Sequence, residues 1–359
     1  MGTGQIAIDN PGNLSSAKGA GSAVDSIDGV TPAQAPAASY VGRFAPSPTG
    51  PLHFGSLVTA VASYVDARAA GGQWLLRIED VDTTRCTVAA EREIMAQLAG
   101  FGFEHDGAIV FQRERAALYE DALQRLQLAG RLYACRCTRS RLALAPRNAD
   151  GETIYPGTCR ELNLPIDERT DVGVHLKRDD QAPLASEASR HVALRFRVAD
   201  ASDPGADVRA QIEWHDRCFG AQHQSVACDV GDFVLRRADG LFAYQLAVVV
   251  DDAAQGVSDV VRGADLLGNT ARQILLQRHL GLPQPRYLHV PLVRNTDGQK
   301  LSKQTNAAAI HVDGALVTLQ AAWRYLGQRA IDHAPDVAAF WRAAIGAWSP
   351  DAIRMDGGN

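Results

Sequence analysis

At 359 residues the chain is long enough for two domains, or for one elaborated domain with a substantial core. Its 46% hydrophobic and 21% charged residues are ordinary for a globular protein, and a formal charge of −5 argues against wholesale coating of nucleic acid, so any RNA site must be a local patch. No apolar run reaches the length of a membrane span; the longest, around Leu246–Val250, are strand-sized.

Met1–Ser39 contains no Phe, Trp or Tyr, is rich in Ala, Gly, Ser and Asp, and lacks the basic start and apolar block of a secretory signal. It reads as a disordered extension. From Tyr40 the pattern alternates. Tyr40–Ala45 is expected as a strand, Gly55–Ala70 as a helix apolar on most faces and stopped by Gly71-Gly72, and Trp74–Ile78 as a second buried strand. Helices follow at Thr87–Leu98, closed by Gly100, and at Glu114–Ala129, closed by Gly130. Such alternation points to a parallel α/β sheet that binds ligands at the carboxyl ends of its strands.

Between about Leu132 and Gln224 the regularity breaks into short β-like runs, including Val192–Val198 and Val208–Trp214, around a cysteine cluster. An insertion between two halves of the sheet is expected there, at residues 132–225. The parallel core is expected to resume with a strand at Asp232–Arg237, turn at Ala238-Asp239-Gly240, and return along Leu241–Val250. Asn269–Leu280 reads as a helix and Tyr287–Val293 as a strand, with helical texture near Asp313–Leu326 and Val337–Gly346. The expected divisions are therefore 1–39, 40–131, 132–225, 226–305 and a short helical region, 306–359.

Three groups of residues carry chemistry. In Arg43-Phe44-Ala45-Pro46-Ser47-Pro48-Thr49-Gly50-Pro51-Leu52-His53-Phe54-Gly55-Ser56, a strand runs into a Pro/Gly-rich turn that opens a helix, where backbone N–H groups and an imidazole can meet a phosphate. Downstream, Lys300-Leu301-Ser302-Lys303-Gln304 presents two lysines one turn apart, suited to neutralising charge on a leaving pyrophosphate. Third, two thiolates one residue apart, Cys135 and Cys137, with Cys159 nearby, satisfy three corners of a zinc tetrahedron; spacing alone does not supply the fourth. Cys86, Cys218 and Cys228 are scattered and are assigned to packing. Arg131, Arg136, Arg139, Arg141, Arg147 and Arg160 surround the cluster, against only Asp150, Glu152 and Glu161, an excess suited to a phosphate backbone. Acids that end predicted strands, Glu79-Asp80 and Asp251-Asp252, can hold an ammonium group or cap a helix.

Taken together and in this order, the first two segments resemble the HIGH and KMSKS signatures of class I aminoacyl-tRNA synthetases, and the run from Arg43 resembles their glutamyl and glutaminyl branch. Ser56 replaces the second histidine of HIGH; Leu301 and Gln304 depart from KMSKS. The resemblance covers roughly Tyr40 to Gln304. It implies a Rossmann-like catalytic sheet with a zinc-containing insertion, and catalytic roles for His53, Lys300 and Lys303. ATP would meet His53, Gly55, Ser56 and Lys303, with Mg²⁺. Glutamate would meet Arg43, Phe44, Ala45, Pro46, Ser47, Glu79, Tyr244 and Arg262. Two guanidinium groups and one acid match the two carboxylates and one ammonium of glutamate, though which arginine takes which carboxylate stays open. The resemblance also supplies Tyr155 as the fourth ligand of one structural zinc.

Only 56 residues follow Lys303, enough for a short helical bundle but not for a large anticodon-binding portion. The chain therefore resembles the glutamyl-Q tRNA(Asp) synthetase family. That likeness implies a cytoplasmic monomer that makes glutamyl-adenylate and esterifies queuosine in the anticodon stem-loop of tRNA(Asp). A truncated glutamyl-tRNA synthetase charging a 3′ end, or a non-catalytic RNA-binding relative, are the alternatives.

Overall fold

The computed structural model describes residues 39–148, 151–166, 192–198, 210–294 and 308–354. Met1–Ala38 and the lysine segment Lys300–Gln304 lie outside the described residues. Strand β1 (Val41–Phe44) leads through the Pro/Gly turn into helix α1 (Phe54–Ala69), which is buried almost all round, from Leu57 to Ala67. Gly71, at φ +64°, ends it in a conformation that L side chains resist. Strand β2 (Gln73–Ile78) returns parallel to β1, and β3 (Val110–Phe111) extends the sheet beyond β2. Helix α2 (Val88–Gly100) starts at Thr87, whose hydroxyl accepts from the Ala90 N–H at 3.1 Å, and closes through Gly102 rather than Gly100. Helix α3 (Ala116–Leu128) completes this half.

On the other side of β1 lies β9 (Asp259–Gly263), the edge of a second, four-stranded ladder that abuts the first where the Ser258 N–H donates to the Val41 carbonyl at 2.9 Å. Next comes β10 (Arg286–Val290), parallel to β9, then β6 (Gln211–Asp216), parallel to β10, with β7 (Gly220–Ser225) antiparallel at the edge. From β1 the chain therefore builds first to one side and later to the other. The crevice beyond the carboxyl ends of β1 and β9 is the topological switch point of an open α/β sheet, where ligands bind.

Three expectations about strands need correction. Asp232–Arg237 forms a strand, β8 (Phe233–Arg236), but it pairs antiparallel with β5 (Ala193–Phe196), itself antiparallel to β4 (Leu132–Cys135), in a separate small sheet. Strands β6 and β7, placed by sequence inside the insertion, instead extend the parallel sheet. Leu241–Val250 is not a strand: after the Arg236–Phe242 bridge the chain enters helix α6 (Tyr244–Ala254). A fully buried apolar run does not reveal its period, and Leu246–Asp252 is buried throughout.

Short helix α4 (Arg139–Leu142) follows β4, short helix α5 (Val226–Asp229) packs beside β6 and β7, and α7 (Thr270–Leu280) links β9 to β10. Cys86 is buried and Cys218 half-buried, but Cys228, on α5, is exposed, contrary to its assignment to packing. Helices α8 (Ala315–Tyr325) and α9 (Val337–Ala347) pack on α1 and share its hydrophobic core. There Tyr64, Trp74, Phe103 and Trp341 meet with ring centroids 4.8–5.5 Å apart. Among the described residues no helix is long and apolar enough to cross a membrane.

Candidate active site and metal centre

A cavity of about 510 Å³ opens at the switch point. Arg43, Phe44, Ala45 and Ser47 reach it from β1 and the following turn, Glu79 from beyond β2, Tyr244 from the start of α6, and Arg262 from β9. Of the eight residues expected to meet glutamate, Pro46 alone is not in its wall; its carbonyl instead accepts the Glu79 N–H at 3.0 Å and so fixes the acid's backbone. His53, Gly55 and Ser56 stand outside the wall, at the N-terminus of α1, where His53 Nδ1 accepts from the Ser56 N–H at 3.3 Å. That bond leaves the proton of a neutral ring on Nε2. One turn along α1, Thr59 does line the cavity.

The floor is a buried charge network that the sequence only hinted at. Arg43 donates through Nε to Asp252 Oδ1 at 3.1 Å and through Nη1 to the Val261 carbonyl at 3.4 Å. Arg77, fully buried next to the last residue of β2, lies 2.8 Å from Asp252 Oδ1 and 3.3 Å from Glu79 Oε1, and donates to Gln255 Oε1 at 2.7 Å. Asp252 therefore sits inside α6 as the counter-ion of two arginines; it caps no helix. Asp251 beside it is held by Arg115, the Tyr119 hydroxyl and Gln112. Asp80 accepts from the Arg113 backbone and guanidinium. A buried arginine inside an apolar strand demands acids; in Trp74–Ile78, Arg77 was that signal.

Burial pushes the Glu79 carboxyl up, against the opposing pull of Arg77 and Arg43. Burial acts on Asp252 in the same sense, but Arg43 and Arg77 outweigh it and hold its carboxyl below the ordinary range. The two acids share the same cations, and Asp252 takes the larger share. Glu79 is left as the acid with capacity for a further cation.

Arg262 is held differently. Its Nε donates to His289 Nε2 at 2.9 Å, Nη1 to Gln273 at 2.7 Å, and Nη2 to the Leu266 carbonyl and the Thr270 hydroxyl. A guanidinium has five N–H groups, so these four bonds leave Arg262 one for the cavity. Arg43, by the same count, keeps three. His289 Nδ1 lies 2.6 Å from Asp216 Oδ2, and Asp216 also takes the Cys218 and Phe219 N–H groups. Burial pushes the imidazole down, joined by the Arg262 charge and opposed by Asp216; accepting from Arg262 at Nε2, a neutral ring donates from Nδ1 to Asp216.

The third group of residues converges as well. Cys135, Cys137 and Cys159 place their sulfurs within 4.8 Å of one another, a set that could hold a metal ion such as zinc. The Tyr155 hydroxyl joins them, 3.3 Å from Cys135 Sγ and 3.7 Å from Cys137 Sγ, while Cys137 and Cys159 are 3.6 Å apart. Those spacings approach the edge of roughly 3.8 Å that tetrahedral zinc–sulfur bonds dictate. Tyr155 is pinned against Gly231, where an added Cβ would lie 2.6 Å from the Tyr155 carbonyl oxygen.

A parallel sheet with a cation-and-acid cavity at its switch point, beside a helix N-terminus, defines a nucleotide-binding α/β domain of the class I synthetase type. Residues 40–331 match the family model for class I tRNA synthetases (E and Q), catalytic domain. The chain belongs to the glutamyl-Q tRNA(Asp) synthetase family: it is 51% identical to the one from Verminephrobacter eiseniae over 316 residues, covering 87% of this chain and 97% of that one. It is also 52% identical to the one from Thiobacillus denitrificans over 290 residues, 81% of this chain and 86% of that one. The crystal structure of glutamate-tRNA synthetase from Elizabethkingia anophelis shares the fold, with a TM-score of 0.68 at 23% identity over 89% of this chain and 67% of that one.

Proposed function

We propose that this chain activates L-glutamate with ATP and transfers it to the queuosine of tRNA(Asp). One observation carries this reading: Arg43, Glu79, Tyr244 and Arg262, far apart in sequence, meet in one cavity at the switch point. Glu79 is suited to the α-ammonium of glutamate. The remaining N–H groups of Arg43 and Arg262 are suited to its carboxylates.

In the first step a glutamate carboxylate oxygen attacks the α-phosphorus of ATP, forming glutamyl-adenylate and releasing pyrophosphate. Lys300 and Lys303, with Mg²⁺, neutralise the leaving charge. The backbone just downstream supports this assignment. Ala309 bridges His53, and the Ile310 N–H donates to the Leu52 carbonyl at 3.0 Å. Lys303 is five positions from Ala308, so chain connectivity tethers it within roughly 18 Å of that point. In the second step a hydroxyl of the queuosine cyclopentenediol attacks the adenylate carbonyl, AMP leaves, and an ester forms, chiefly through positioning.

One zinc held by Cys135, Cys137, Tyr155 and Cys159 serves structure, because it would tie β4 to the segment bearing Tyr155. The partners are ATP, glutamate and the tRNA anticodon stem-loop; the setting is cytoplasmic and the protein monomeric. The division into a split catalytic domain, a metal-bearing insertion and a helical C-terminal region belongs to the same reading. Glutamate-dependent ATP–pyrophosphate exchange in the absence of tRNA tests it; no exchange with glutamate would overturn it.

A further inference from the structure

A second cavity, of about 400 Å³, lies beside the cysteine cluster, and four arginines share its wall: Arg139, Arg147, Arg195 and Arg272. Asp232, the only acid among the described residues of that wall, is already occupied by the Tyr133 hydroxyl, Arg160 and the Val198 N–H. Two of the four arginines carry an unsatisfied donor. The Nε–H groups of Arg195 and Arg272 are buried without an acceptor. Arg195 is 7% exposed and stacks its guanidinium 3.7 Å above the Tyr155 ring while Nη1 donates to the Asp232 carbonyl at 2.8 Å. Arg272 reaches from α7 to Glu152. Those two Nε atoms lie beneath the surface of the hollow, so an anion there would meet the terminal N–H groups, and four guanidinium groups around one hollow suit an anion with several oxygens.

We infer that this hollow is a phosphate subsite for the RNA backbone, an inference that rests on the reading of the chain as a tRNA enzyme. Its placement favours a polynucleotide over a free anion. Val234 of β8 lines it, and Arg237, one residue past the end of that strand, lines the larger cavity. The same short segment thus contributes to both hollows, and a chain of phosphates, unlike a free anion, can follow it from one toward the other. The local excess of arginine visible in sequence was thus partly misplaced. Arg131, Arg136 and Arg141 are not in the wall, Arg160 serves Asp232, and Arg195 and Arg272 come from outside the cluster.

The test uses the full chain with Arg139→Gln/Arg147→Gln, both exposed positions. Binding of queuosine-containing tRNA(Asp), measured without glutamate or ATP across a salt series, weakens about tenfold, and the slope of log Kd against log salt falls by about one for each phosphate that the variant no longer neutralises. Exchange without tRNA stays at the parental rate, and Arg139→Lys/Arg147→Lys keeps the salt slope. Unchanged tRNA affinity overturns the subsite, as does equal weakening by Arg141→Gln, which would mean a diffuse basic surface. Saturable binding of inorganic phosphate that the double variant abolishes, with tRNA affinity intact, would make it a small-anion site and overturn it too. Because exchange needs no tRNA and binding needs no glutamate, this inference and the reading of the larger cavity fail separately.

Discussion

His289 accepts the Nε–H of Arg262 at 2.9 Å and lies 2.6 Å from Asp216 through its other nitrogen. The three groups form a buried line in which each bond fixes the next: the carboxylate selects the imidazole tautomer, and the tautomer aims the guanidinium. Asp216→Asn keeps the shape but turns an amide donor toward Nδ1. The proton then moves to Nε2, where it confronts the Arg262 N–H. In tRNA-independent exchange the KM for glutamate is expected to rise at least about tenfold with kcat less affected, since an analogous loss of the correct tautomer is severe in hydrolytic triads. An equal fall in kcat with KM unchanged would assign the pair to folding alone.

In the proposed role Glu79 must be ionised to hold an ammonium group, and burial raises its carboxyl above the ordinary range despite Arg77 and Arg43. A raised value means the proton is retained to higher pH. The acid limb of kcat/KM for glutamate therefore falls above the usual carboxylate region near about 4.3. Glu79→Gln removes that limb together with most activity; a limb unmoved in Glu79→Gln belongs to another group.

Asp252 is the counter-ion of both Arg43 and Arg77. Asp252→Asn leaves two buried guanidinium groups short of charge, and denaturant unfolding should show a loss of about 3 kcal/mol or more. A change under about 1 kcal/mol would mean that Glu79 and Asp251 suffice.

In the proposed reaction the lysine pair acts on charge that appears only as pyrophosphate departs. Lys300→Ala and Lys303→Ala are each expected to lower kcat about a hundredfold in exchange, with the glutamate KM nearly unchanged. A selective rise in KM would place them in ground-state binding.

Tyr155 lies at 3.3 Å from Cys135 Sγ and 3.7 Å from Cys137 Sγ. Metal analysis of the purified protein should give one zinc per chain. Tyr155→Phe should release it to a chelator faster than the parent does, while Cys86→Ser leaves retention unchanged. Equal retention in Tyr155→Phe would leave the three thiols as the whole ligand set.

Much of this was legible in the sequence because the informative residues interrupt their own surroundings. His53 opens an apolar helix, and Cys135-Arg136-Cys137 breaks the end of a strand. What stayed hidden was hidden for physical reasons. Leu246–Val250 is buried on every side as a helix, so its β-branched residues carried no period to distinguish it from a strand. Asp216 and His289 come from two strands paired in the sheet, and nothing local marks either one. The cavity arginines Arg195 and Arg272 lie on β5 and α7, which only the folded chain brings together.

The central claim is that the cavity at the switch point makes glutamyl-adenylate for delivery to an anticodon base. Radiolabelled glutamate should be incubated with ATP, the protein and tRNA(Asp), and the tRNA digested to locate the label. The account predicts label on the queuosine nucleotide and none on tRNA lacking queuosine. Label on the 3′-terminal adenosine, accepted equally by tRNA lacking queuosine, would contradict it.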